Sequence, residues 1–156
     1  MSSEVIEAVF RYSAYHRKEL MLIASKNQID YKGGYVNNWI TKDFVNFVGK
    51  MREIYPESNV KLCRDHCGPG FNGVSDLADV YSTIKTDIEN GFDLIHIDFC
   101  NFNGSKDQQL EESKKAIDYC LELKPDILIE VGTDENVGTN YNLVNIDEIE
   151  NEIKFF

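Results

Sequence analysis

The chain has 156 residues, of which 42% are hydrophobic and 28% charged, and its formal net charge is −11. That is the balance of an ordinary globular domain, long enough to bury a core and not disordered. The acidity excludes nucleic acid and anionic membrane as expected partners, because both call for clustered Lys and Arg.

The elements alternate along the chain. Residues 4–15 predict a helix with Val5, Ile6, Val9 and Phe10 on one face. The run Leu20-Met21-Leu22-Ile23-Ala24 is too short for a buried helix and predicts a buried parallel strand. A polar loop from Lys26 to Ile40 carries Gly33-Gly34, with Tyr31, Tyr35 and Trp39 expected to pack it down. Thr41 is the expected N-cap of a helix whose stripe of Phe44, Val45, Phe47, Val48, Met51 and Ile54 reads as core, and Pro56 ends it. A strand from Val60 to Arg64 leads into the loop Asp65-His66-Cys67-Gly68-Pro69-Gly70. The next helix starts near Asp76 and stops at Asn90-Gly91. Leu94 to Phe99 predicts the third strand, and Ser105 with Gln108 a capping box for a helix reaching Leu123. Ile127 to Val131 predicts the fourth strand, and an amphipathic segment from about Ile146 carries Ile149 and Ile153.

Strands alternating with helices argue for βαβ units, a parallel sheet and an α/β fold. Four strands fall short of a closed barrel, which takes about 250 residues. The loop after the first strand, Ser25 to Asp30, lacks the glycine pattern of a dinucleotide fold, and a nucleotide-phosphate loop is absent.

No apolar run approaches the roughly 18 residues of a membrane span. The start, Met1 to Glu7, lacks the basic and apolar stretches of a signal peptide, so a cytoplasmic location is expected. Cys63, Cys67, Cys100 and Cys120 form no C-x-x-C pair and read as reduced, mostly buried small hydrophobes.

In parallel α/β folds the polar residues at the carboxyl ends of strands face the binding crevice. Here those are Ser25, Asn27 and Gln28; Arg64, Asp65 and His66; Asp98; then Glu130 with Thr133, Asp134 and Glu135. Asp65-His66 is the sharpest pair: a neutral imidazole can ligate a divalent metal beside a carboxylate acting as base. The same two residues also suit a loop cap beside a hydrogen-bonded histidine. His96 and Asp98, two apart, share a strand face, where structural packing and catalysis are both open readings. Glu130 is either a catalytic or a paired structural carboxylate, and His16 is expected in solvent.

Taken in order, these segments resemble one family. Ala24-Ser25-Lys26-Asn27-Gln28-Ile29-Asp30, then Gly33-Gly34-Tyr35, then Asp43-Phe44 and Phe47-Val48, are similar to the "T-S-N-Q-V-N…G-G-Y-T-G…P-x-D-F…F-V" stretch of the non-catalytic subunits of class II D-tagatose-1,6-bisphosphate aldolase. Leu62 to Pro69 resembles that family's "L-G-G-D-H-L-G-P", Ile95 to Asp98 its "I-H-L-D", and Val131 to Glu135 its "I-G-T-E".

The resemblance implies part of a (β/α)₈ TIM barrel, with residues 1–156 a single partial domain whose strands correspond to barrel strands two to five. It implies an accessory subunit that supports a catalytic class II aldolase subunit, a partner in cytoplasmic sugar catabolism acting on a phosphorylated sugar. Carried over from the zinc aldolases, Asp65 becomes the base and His66 a zinc ligand. Asp98 and Glu130 stand as further candidate catalytic carboxylates from their place on the strands. Those enzymes take more histidines from later strands, and this chain holds only His16, His66 and His96. Two alternatives stand beside this: a metal-dependent ketose-bisphosphate aldolase in its own right, and a truncated remnant without activity. Pairing of two copies into a full barrel is the expected form of any homo-oligomer.

Overall fold

The computed structural model describes residues 1–132 and 146–156. Five helices and four strands alternate: α1 (Ser3–His16), β1 (Glu19–Ser25), α2 (Thr41–Ile54), β2 (Asn59–Cys67), α3 (Leu77–Glu89), β3 (Leu94–Asp98), α4 (Lys106–Leu123), β4 (Leu128–Gly132) and α5 (Ile146–Phe155). The strands form one parallel sheet in the order β1-β2-β3-β4. Each strand pairs with the next in sequence, so the sheet is an open section of a TIM-barrel-like fold.

Local chemistry sets the helix ends. Ser2 caps α1 by accepting the Val5 amide, Asp76 caps α3 by accepting that of Ala78, and Ser105 with Gln108 closes the expected capping box on α4. Thr41 is not the cap of α2. Ile40 holds that position, with its amide donating to Asp43, while the Thr41 hydroxyl turns inward and donates to buried Asp87 at 3.3 Å.

The core lies between the sheet and the helices. Leu22 and Ala24, Val60 and Leu62, and Ile95 and Ile97 face it from the strands, and Phe10, Phe44, Val48, Val80, Ile84, Phe92, Ala116 and Cys120 from the helices and loops. The opposite sheet face is open. Met21, Ile23 and Leu128 are 46%, 55% and 54% exposed there. Among the described residues no further strands cover the side that a closed barrel would fill with side chains, so the apolar run of β1 is buried there on one face only. Ile54 and Tyr35 also reach solvent instead of packing, whereas Trp39 stacks on Phe47.

Two buried ion pairs tie the β1–α2 loop to its surroundings. Arg64, fully buried on the helix side of β2, donates to Asp87 from Nε and Nη2 at 2.6 and 2.9 Å and from Nη1 to the carbonyls of Ala24 and Ile29. Lys26 reaches Asp79 at 2.6 Å, and Asp79 also accepts from Lys32, Asn72 and Tyr31. Gly34 passes so close to the carbonyl of Gln28 that a Cβ would strike it, which explains a glycine in this loop without any ligand.

Candidate functional site

The candidate site sits at the carboxyl ends of β2 and β3. β2 does not stop at Arg64 but continues through Cys67, which puts Asp65 and His66 on a strand instead of in a loop. Side chains alternate faces along a regular strand, so neighbours such as these would point apart. His66 breaks the alternation with a φ of 50°, and the register between β2 and β3 shifts over this stretch. The result is a bulge that leaves Asp65 and His66 both half-buried on the open side. Just beyond, Gly68 lies against the carbonyl of Asp98, where no Cβ fits.

Two histidines and two aspartates interlock across the strands. His66 Nδ1 lies 2.8 Å from Asp98 Oδ2, and His96 Nδ1 lies 3.0 Å from Asp65 Oδ1. Each histidine is thus held by the carboxylate of the other strand. His66 Nε2 lies 3.7 Å from Asp65 Oδ2, and the two rings are 5.4 Å apart. Phe71 stacks on His66 at 4.4 Å.

Asp98 is the buried member of the group. Burial pushes its carboxyl up, but the Cys100 amide, the bond to His66 and the nearby His96 outweigh that and hold it below the usual carboxylate range. Asp98 holds the Nδ1 side of the His66 ring and turns Nε2 toward Asp65.

Asp65, His66 and His96 bring one donor atom each within 4.8 Å of one another. Carboxylate and imidazole are the donors that zinc and neighbouring divalent metals take, so the residues fit such an ion. Glu130 stands apart from this cluster. It pairs in register with His96 on β4, is exposed, and its charge helps burial raise the Cys63 thiol to about 11. His16 is exposed on α1, against Tyr12. Thr133, Asp134 and Glu135 lie outside the described residues.

The sequence reading missed His96 as a neighbour of Asp65. Its signal was its place two residues before Asp98, but the cross-strand meeting depends on register and on the bulge at His66. Phe71 gave no signal at all.

Among the described residues no helix is long and apolar enough to cross a membrane. Comparison with known structures finds a similar fold in the crystal structure of a probable tagatose 6 phosphate kinase from Sinorhizobium meliloti 1021, with a TM-score of 0.77 at 18% identity. The match covers 98% of this chain and 41% of that one, and at this identity it speaks for the fold alone. A family model described as D-tagatose-1,6-bisphosphate aldolase subunit GatZ/KbaZ-like matches residues 1–118. The match spans most of the chain, and the chain belongs to the GatZ/KbaZ-like family of D-tagatose-1,6-bisphosphate aldolase subunits.

Proposed function

We propose that this chain, as a partial barrel over residues 1–156, is an accessory, non-catalytic subunit that supports the catalytic subunit of a class II D-tagatose-1,6-bisphosphate aldolase in cytoplasmic sugar catabolism. The family match over residues 1–118 carries this reading. The histidine set agrees with it: only His66 and His96 reach the rim, fewer than the zinc aldolases use, and His16 sits in solvent on α1. Coexpression with a class II tagatose-bisphosphate aldolase catalytic subunit tests it through the thermal half-life of cleavage activity. A longer half-life in the presence of this chain supports the role, and an unchanged one contradicts it.

The convergence of Asp65, His66 and His96 favours a second reading, a metal-dependent ketose-bisphosphate aldolase. A bound divalent metal supplies Lewis-acid polarisation of the ketose carbonyl. His66 would hold that ion through Nε2 with Asp98 against its Nδ1, and Asp65 would take the proton of the hydroxyl on the carbon β to the carbonyl as the carbon–carbon bond breaks and its electron pair passes to the polarised carbonyl. Chelator-sensitive cleavage of a ketose bisphosphate by the purified chain supports this reading. Its absence in metal-loaded protein ends it.

A further inference from the structure

We propose that His96 is a metal ligand, and that Asp65, His66 and His96 form a divalent-cation site built from β2 and β3 alone. The inference deepens the second reading above. It gives Asp65 the part of a donor where that reading uses it as a base, and it holds whether or not the chain turns over sugar.

The donor spacing carries the inference. Ligands bound to one ion at about 2.0–2.2 Å lie about 3–3.5 Å apart. Asp65 Oδ1 and His96 Nδ1 are 3.0 Å apart, and Asp65 Oδ2 and His66 Nε2 are 3.7 Å apart. Asp65 therefore faces the two imidazoles with one oxygen toward each, and the three donors lie within 4.8 Å of one another.

The contacts around His96 Nδ1 point the same way. The His66 amide also approaches this nitrogen, at 3.3 Å. One ring nitrogen carries either a proton, which suits the carboxylate, or a lone pair, which suits the amide. The Asp65 carboxylate and the His66 amide thus converge on His96 Nδ1, which puts this nitrogen at the centre of the donor cluster.

The surroundings hold these donors in place. Asp98 and Phe71 fix the His66 ring from its Nδ1 side and its face, which is the support that metal-ligating histidines commonly have. The left-handed φ of His66 brings adjacent residues to one side, a backbone state that non-glycine residues adopt at a cost. On β4, Gly132 leaves room for the His96 ring: a Cβ there would stand 2.6 Å from His96 Nε2 and 2.9 Å from Asp98 Cγ.

The test uses the full chain, stripped with chelator and titrated with cobalt(II) chloride, with the visible absorption bands read at each addition. One equivalent binds, zinc displaces it, His96→Ala weakens binding at least tenfold, and His16→Ala leaves it unchanged. Gly132→Ala weakens it as well, by displacing the ring without removing a ligand. X-ray absorption on the zinc-loaded wild-type chain needs no variant and shows two imidazoles, oxygen and no sulfur. No cobalt binding, binding that His96→Ala does not weaken, or sulfur in the first coordination sphere overturns the proposal. Cobalt binding without sugar cleavage keeps the site and ends the aldolase reading. The subunit role stands or falls separately, on the partner's half-life.

Discussion

Asp65 on β2 and His96 on β3, 31 residues apart in sequence, meet at 3.0 Å, while His66 and Asp98 meet at 2.8 Å in the opposite sense. The strands are crossed by two reciprocal His–Asp contacts, and each histidine makes its shorter carboxylate contact with the other strand. Among the described residues every buried side-chain polar atom has a hydrogen-bond partner. The site is therefore part of a satisfied network, and changing one member disturbs its partner across the strand gap.

The Arg64–Asp87 pair is the strongest test of the fold. Both side chains are fully buried, and Arg64 also closes the β1–α2 loop through Ala24 and Ile29. Removing one partner leaves a buried charge without its counterion, at about 3–5 kcal/mol. Arg64→Ala and Asp87→Asn should each lower stability on that scale in urea unfolding. A loss below about 1 kcal/mol, the scale of an exposed pair, would contradict the burial of this pair.

His66→Asn separates fold from site. Asparagine tolerates the left-handed region better than most residues, so the bulge survives, and stability falls by about 1–3 kcal/mol for the partner that Asp98 loses. The imidazole is lost, so cobalt affinity falls with the circular dichroism spectrum unchanged. Affinity equal to wild type would remove His66 from the site.

Acid sensitivity should concentrate at Asp79. Burial pushes its carboxyl up, but hydrogen bonds from Lys26, Lys32, Asn72 and Tyr31 prevail and hold it well below the usual range. A group depressed in the folded state contributes stability above its unfolded value of about 3.9, and that contribution is lost as pH falls toward the folded value. Asp79→Asn should thus be less stable than wild type at pH 7, with the gap closing below about pH 4. A gap of constant size from pH 7 to pH 3, measured by urea unfolding, would contradict this.

Thiol reactivity reports the burial of the sheet. Burial first, with nearby acidic side chains, raises Cys63 to about 11 and Cys120 to about 12, and it raises Cys67 further. Cys100 is half-buried. At pH 8 a thiol reagent should label at most Cys100 quickly in the native chain, and all four cysteines in denaturant. Rapid labelling of two or more in the native chain would show a looser sheet.

Much of the fold was legible because its signals are local. Ser105 with Gln108 closes the expected capping box, and short apolar runs between amphipathic stretches mark four parallel strands. The exposure of Met21 and Ile23 was not legible, because an apolar run reads the same whether one face or both are covered. In the site, Asp65, His66 and Asp98 stood out as polar residues at strand ends. Their pairing did not, since it depends on a bulge at a non-glycine residue and on register, which periodicity leaves open. Glu130 carries the same sequence signal as Asp98 and pairs in register with His96, but it is exposed on β4 and brings no donor atom into the cluster.

Sedimentation velocity of this chain mixed with the catalytic subunit of a class II tagatose-bisphosphate aldolase tests the central claim most directly. The account predicts a species heavier than either protein alone, containing both, at micromolar concentration. Two boundaries that sediment as the separate proteins at every mixing ratio would contradict it.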